Sequence, residues 1–565
     1  MSLIFRKLIP TQLPIIASLL SLLLTVPIIT ILASVLTGSY EIWGHLWETV
    51  MADYLINSLL LVIGVGIGVL ILGLPAAWLT SVCDFPMRKI FVWALLLPMA
   101  MPAYIIAYTY TGLLDFAGPV QKLIRELTGW HYGEYWFFEI RSLTGAIIML
   151  TLVLYPYVYL MARAAFLEQS PSIMEASRIM GYRIRETTLR LTLPMARPAI
   201  VTGLTLALME TLADYGTVQY FGVSTFTTGI FRTFYGFGDT AAASQLAAIL
   251  LTFIFVLVVF ERYSRRQIHY DTQKGKSLKP IKLSKRNGIL AVIICAFPVI
   301  FGFLIPAACL LYWSIAEAVI DDNFLLLAWN SFYLAILASS IALALALLLS
   351  YVKRSYPKNK PMLTSISLAG MGYALPGTII AIGIITPLAW LDQRLISLAS
   401  EWLSRDIGLV FSGTIAALLF AYSVRFLAVS MGAIDNGLQQ IKPNLDNAAH
   451  LMGYGVTTVL RRIHLPLLST SMITAFLIVF VDVLKELPAT LILRPFDFNT
   501  LAVKAYELAS DERLVDAAPP SLLIVLVGLL PVILLSRSIR LRKSPAALIP
   551  AEMPNKRVSS QNHAH

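Results

Sequence analysis

The sequence predicts an all-α polytopic membrane protein of about twelve transmembrane helices, arranged as two parallel six-helix repeats. Three observations predict it. The 565-residue chain is 58% apolar and only 13% charged, against about 25% charged in ordinary soluble domains. Its apolar runs reach the roughly 20 residues that a helix needs to cross a bilayer core of about 30 Å. The same residues also recur at a near-constant separation along the chain. The runs are continuous, without the period-two alternation of a membrane barrel.

The predicted spans fall near 12–36, 55–80, 90–112, 141–165, 198–220, 241–261, 288–313, 328–352, 362–390, 409–431, 470–492 and 519–536. The first follows Arg6 and Lys7 but is longer than a signal-peptide core and ends without a small-residue cleavage site, so it reads as a retained span. The connecting loops alternate in charge. Loop 37–54 has Glu41, Glu48 and Asp53 and no base, and the next loop has Arg88 and Lys89. The 263–287 stretch carries eight Lys and Arg side chains; 314–327 is acidic, and 353–360 is basic again. By the positive-inside rule this alternation puts both termini, and the 171–197 segment, in the cytoplasm. It also accounts for the net charge of +11, so no nucleic-acid partner is needed to explain it. Cys83, Cys295 and Cys309 lie in or beside spans with no CxxC or Cys/His pattern, and read as buried apolar thiols.

The recurrence divides the chain into halves. Asn57-Ser58 matches Asn330-Ser331, Pro102 falls near Pro376, and Gly181-Tyr182 matches Gly453-Tyr454. Pro194 matches Pro466, Glu210 matches Asp482, and Asp214 matches Glu486. At the same offset of 272, Phe226 pairs with Phe498, Thr228 with Thr500 and Asp239 with Asp511. The organisation is a first half over 1–262, a basic cytoplasmic linker over 263–287, a second half over 288–543 and a polar cytoplasmic tail over 544–565. Six spans per half make the repeats parallel, related by an axis along the membrane normal.

Each half interrupts itself once, between its fourth and fifth spans. "PSIMEASRIMGYRIRETTLRLTLPMARPAI" (171–200) is charged and helix-friendly, capped by Ser170-Pro171, broken at Gly181 and stopped at Pro194. Ile173, Ala176 and Met180 would share its apolar face. "PNLDNAAHLMGYGVTTVLRRIHLPLLSTSM" (443–472) repeats the pattern. One such segment could rest on lipid. Two, at matching places in cytoplasmic loops, suit a docking surface for two copies of a soluble partner.

"EASRIMGYRIRETTLRLTLP" resembles the EAA loop of the permease subunits of ATP-binding-cassette (ABC) importers, through Glu175, Ala176, Gly181 and Pro194. The second copy matches through Ala448, Ala449, Gly453 and Pro466, with Asn447 at the Glu position and Asp446 one residue earlier. Together with "ALPGTIIAIG", "ETLADYGTVQYFGVSTFTTGIFRTFYGFGD" and "DVLKELPATLILRPFDFNTLAV", nearly the whole chain resembles the fused, two-half permeases of ferric-iron-type importers. Permeases for thiamine, polyamines and phosphonates are similar too. The resemblance implies a type I ABC importer permease fold in a bacterial inner membrane. It implies EAA loops about 168–197 and 440–469 seated on two cytoplasmic ATP-binding subunits, a periplasmic iron-binding protein as partner, and no cofactor in this chain, ATP being held by the partner subunit. The Gly275-Lys276-Ser277 triplet is not a phosphate loop, since Tyr270 stands where its first glycine would be.

Glu210, Asp214, Asp482 and Glu486 are expected inside the membrane, with Lys485 among them. A charge near the bilayer centre costs about 2.5–3.5 kcal/mol on insertion scales, so these acids should not face lipid. They either line a translocation path for a cation on the repeat axis, or pair with Lys485 and helix ends to set packing. No tight metal site is expected. Gly64, Gly66 and Gly68 read as close helix packing, and Pro98, Pro102 and Pro376 as weak points in their spans. The seven histidines show no clustering, His563 and His565 lying in the polar tail. Loops 113–140, 221–240 and 493–518 are candidates for meeting a periplasmic binding protein, or supply an interfacial aromatic belt. A secondary transporter driven through the four acids is the rival from another class. A membrane enzyme lacks any clustered catalytic constellation.

Overall fold

The computed structural model describes residues 12–36, 40–131, 134–169, 177, 179–182, 184–266, 280–319, 321–403 and 408–541. Glu175 and Ala176, the Ser170-Pro171 cap, most of the linker with its Gly-Lys-Ser triplet, and the 544–565 tail lie outside them. Within them the chain is helical almost throughout, and an apolar helix stands at each predicted span. Nine are long and apolar enough to cross a membrane, or eleven if two sharply bent pairs each count as one. The last segment, Ala518–Leu541, has a shorter apolar stretch, Ala518–Ile533. The predicted count of twelve is thus not reached by length and composition alone.

The bends have local causes. Arg88–Ala100 and Ala103–Thr128 meet at 90°, where a short 3-10 turn, Leu97–Ala100, runs into Pro102. The second half repeats this device with a 3-10 turn over Gly370–Ala374 before Pro376. A proline lacks the amide that would continue the ladder and holds the preceding residue out of helical geometry. Here Met101 and Leu375 are both extended.

The halves are interwoven. The first helix, Gln12–Ser34, packs on Lys360–Ala369 and Gly377–Leu403 of the second half, and its Ala17 and Leu24 share a core with Ala335, Ala342 and Tyr422. Contact is close because Gly383 has no side chain: a Cβ there would stand 2.6 Å from the Pro27 carbonyl oxygen. Reciprocally, Lys285–Ala316 buries Ala291, Cys295 and Val299 with Val65, Leu95 and Tyr155 of the first half. Each half therefore lends its opening helix to the other. The Gly64 and Gly68 positions abut Ile147 and Thr151, so the glycine series packs Met51–Val82 tightly on Leu143–Glu168. Among the described residues the one β pairing is parallel, Cys83–Asp84 with Ile281–Lys282, and fastens the end of the linker to the end of the second span. All three cysteines are free thiols.

The repeat is visible in hydrogen bonds. Asn57 Nδ2 donates to the Ser224 carbonyl at 3.0 Å, and Asn330 Nδ2 donates to the Asn499 carbonyl at 3.3 Å. The Phe226 amide donates to Ser58 Oγ, as the Leu501 amide does to Ser331 Oγ. Thr225 and Thr500 are the matching N-caps. The offset therefore changes from 272 at the membrane acids to 275 here, which corrects the pairing of Thr228 with Thr500 and of Phe226 with Phe498. Asp239 likewise has no counterpart in Asp511: it caps the next helix through the Ala241 and Ala242 amides, whereas Asp511 closes the preceding one.

Candidate translocation cavity and coupling helices

The two interrupting segments fold alike where both are described. The Tyr182 amide donates to the Ser177 carbonyl at 3.0 Å, and the Tyr454 amide to the Ala449 carbonyl at 3.1 Å. Gly181 and Gly453 between them have φ of 81° and 83°. Each helix thus ends in the left-handed cap that glycine adopts without strain. The residues just before these caps are exposed in both copies: Ile179 is 88% and Met180 72% accessible, Leu451 69% and Met452 73%. Of the stripe predicted through Ile173, Ala176 and Met180, the first two lie outside the described residues and Met180 is exposed; Ile179, Leu451 and Met452 were not singled out in the sequence.

Pro194 and Pro466 follow a π-helical turn in each copy, Thr188–Thr192 and Leu460–His464. A missing proline amide leaves a carbonyl one turn back without its usual donor, and a widened turn accommodates that gap. Pro194 therefore does not stop the helix as predicted, since Thr188–Ala213 runs on as one. The second copy differs, bending 75° at the junction of Val456–Leu467 and Ser469–Leu484.

The second segment, Pro443–Leu451, is braced from behind. Asp446 Oδ2 accepts from Arg354 Nε at 2.9 Å, and Asp446 Oδ1 lies 2.7 Å from His464 Nε2. Arg354 also donates to the carbonyls of Leu438 and Ile441. Asp446 therefore serves the inside of the segment. Ala449 is buried and Ala448 exposed.

All four predicted membrane acids reach one place, a central cavity of about 130 Å³ walled by both halves. Glu210 and Asp214 come from the end of Leu193–Ala213, and Asp482 and Glu486 from the end of Ser469–Leu484. Both helices break there and leave the next helix's first amides free. Asp214 Oδ1 accepts the Thr217 and Val218 amides at 3.1 Å each, and Oδ2 accepts the Thr217 hydroxyl at 3.0 Å. Glu486 does the same for Ala489 and Thr490, at 2.9 and 3.0 Å, and takes the Thr490 hydroxyl at 2.6 Å. Its Oε1 also meets Arg425 Nη1 at 2.9 Å, and Lys485 Nζ meets Asp482 Oδ1 at 2.9 Å. Arg425, Tyr104, Tyr157 and Tyr373 complete the polar lining. Sequence reading missed them, although a lone arginine inside the span at 409–431 signals a buried acid partner.

At the opposite end of Leu143–Glu168 from the first interrupting segment, Arg141 of the first half pairs with Glu512 of the second. Phe496 there is fully exposed and Trp136 87% exposed.

Comparison with known proteins agrees with this architecture. Residues 70–270 match the family model of the binding-protein-dependent transport system inner membrane component. The chain is 25% identical over 512 residues, 89% of its length and 92% of the relative's, to the Fe(3+)-transport system permease protein FbpB 2 of Haemophilus influenzae. It is 24% identical to the ferric transport system permease protein FbpB of Actinobacillus pleuropneumoniae, over 80% of this chain and 66% of that one. A shorter similarity, 23% over 36% of this chain and 88% of the relative, is to the molybdenum transport system permease protein ModB of Haemophilus influenzae.

Proposed function

We infer that this chain, a binding-protein-dependent transport system inner membrane component over residues 70–270, is the fused permease subunit of an ABC importer and passes ferric iron through its central cavity. The observation that carries the reading is the convergence of Glu210, Asp214, Asp482 and Glu486, two from each half, on one space between the halves. The ferric relatives, aligned over most of the chain, supply the cargo.

The coupling helices Pro443–Leu451 and its partner ending at Gly181 each seat on one of two cytoplasmic ATPase subunits. Their exposed pairs Ile179-Met180 and Leu451-Met452 enter the partner's clefts. Both termini lie on that side. ATP closes the ATPase dimer, the two coupling helices approach, and the halves rock about the repeat axis so that the cavity opens to one side and then to the other. A periplasmic iron-binding protein delivers cargo at the far face, where Trp136 and Phe496 are exposed. No cofactor is held in this chain.

The test is ATP-dependent uptake of labelled Fe(III) into proteoliposomes holding this permease, its ATPase and its binding protein. Thiamine and a polyamine compete in parallel. Iron uptake that needs ATP and resists both competitors is expected. ATP-driven uptake of a competitor overturns the cargo, and uptake without ATP overturns the class.

A further inference from the structure

Three of the four cavity acids are already committed. Asp214 is taken up by two amides and a hydroxyl, Asp482 by Lys485, and Glu486 by Arg425 and the next helix. Glu210 is not. Among the described residues it makes neither an ion pair nor a hydrogen bond, yet it sits half-buried in the cavity wall. The repeat shows why. Lys485 and Arg425 both belong to the second half, and at the 272 offset their first-half counterparts are Ala213 and Val153. The first half therefore supplies no cation of its own, and Glu210 feels Arg425 and Lys485 across the cavity without bonding to either.

A second, independent feature lies in the same cavity. Tyr104 is only 6% exposed, and its hydroxyl finds no hydrogen-bond partner. Buried hydroxyls are nearly always paired, and this one belongs to a side chain that lines the cavity.

We propose that Glu210 and Tyr104 are the cargo-recognising residues of the cavity. The Glu210 carboxylate meets the charge of a hard trivalent cation, and the Tyr104 hydroxyl hydrogen-bonds to an oxygen ligand that the cation carries with it. This rests on the ferric reading above. One carboxylate and one neutral hydroxyl hold a cation weakly, which suits cargo in transit. Among the described residues no group of three His, Cys, Asp or Glu side chains could hold a metal tightly.

The experiment is equilibrium dialysis of the purified full chain in lipid nanodiscs against gallium(III) nitrilotriacetate, a redox-inert probe. Glu210→Gln is expected to weaken binding about tenfold or more and Tyr104→Phe about threefold, with Glu210→Asp close to wild type. Thermal unfolding of Glu210→Gln should change little, because that side chain makes no hydrogen bond or ion pair and loses only its longer-range attraction to Arg425 and Lys485. Absence of probe binding by wild type, or equal binding by Glu210→Gln, overturns the proposal. Fe(III) uptake by the reconstituted importer is measured beside it. Uptake that persists while the variants bind alike leaves the ferric permease standing and sinks the site. Wild type that takes up no iron removes both.

Discussion

Arg141 and Glu512 stand 371 residues apart in the chain, yet their side chains meet through two hydrogen bonds of 2.7 and 2.9 Å. They join the two halves on the face opposite the proposed coupling helices. Glu512 holds a left-handed backbone, φ 61°, to do so. If the halves rock as proposed, a junction between them should be specific in geometry but modest in strength. This one is, because the Glu512 side chain is 61% exposed.

The first prediction concerns its pH dependence. The Arg141 hydrogen bonds hold the Glu512 carboxyl below the usual carboxylate range. A depressed pKa contributes stability above the unfolded-state value, about 4.3, and loses it as pH falls through the folded one. A double-mutant cycle of R141A and E512A, read by thermal unfolding, should give at most about 1 kcal/mol at neutral pH. The coupling should fade as pH drops below the usual carboxylate range. Coupling that does not change with pH would show that charge is not what holds the junction.

Gly181 and Gly453 offer a test of shape against space. A Cβ at either position meets nothing within 4 Å, so any penalty comes from the positive φ alone, about 1–2 kcal/mol for an ordinary residue. Gly453→Val should lower ATP-coupled uptake while leaving protein in the membrane. Gly453→Asn, which tolerates the left-handed region, should keep most of it. Identical loss in both variants would point to a contact with the ATPase rather than to helix termination.

Asp446→Ala should release Pro443–Leu451 from its brace. Arg354 and His464 would lose their carboxylate together, and charged hydrogen bonds of this kind are worth about 1.5–3 kcal/mol. The expected readout is a lower unfolding temperature together with ATP hydrolysis that no longer responds to cargo. An unchanged unfolding temperature would mean that the brace carries no load.

Glu486→Ala and Glu210→Gln should separate stability from transport. Glu486 is 4% exposed, and removing it strands Arg425, for which about 3–5 kcal/mol is expected. Glu210→Gln should unfold like wild type yet carry less iron. A destabilised Glu210→Gln would mean that it too is a packing residue.

Much of this was legible in the sequence, for reasons that differ element by element. The spans announced themselves by length, and the four acids by the cost of placing charge in lipid. The repeat then placed those acids at equivalent depths. What the spacing could not resolve was the choice between lining a path and pairing with Lys485 or helix ends to set packing. Asp214 and Glu486 cap, Asp482 pairs, and Glu210 remains open. Arg425 was overlooked because one charge does not disturb the hydropathy of "FAYSVRFLAVS". The offset change from 272 to 275 was hidden because the motif match at the acids was extended past a loop of different length. The interweaving of the halves had no sequence signal at all, since periodicity says which face is apolar but not whose core receives it.

That interweaving dictates an order of assembly. The Gln12–Ser34 helix leaves the ribosome before the other described helices, yet the surface that Ala17 and Leu24 fill is made of helices synthesised more than 300 residues later. Until then those two side chains wait in lipid, while its own half offers it the Thr240–Arg266 helix, which meets Ile31 and Ser34. A gene cut within 263–287 should therefore give two fragments that mature only when made in the same cell, each completing the other as subunits of a heterodimer would.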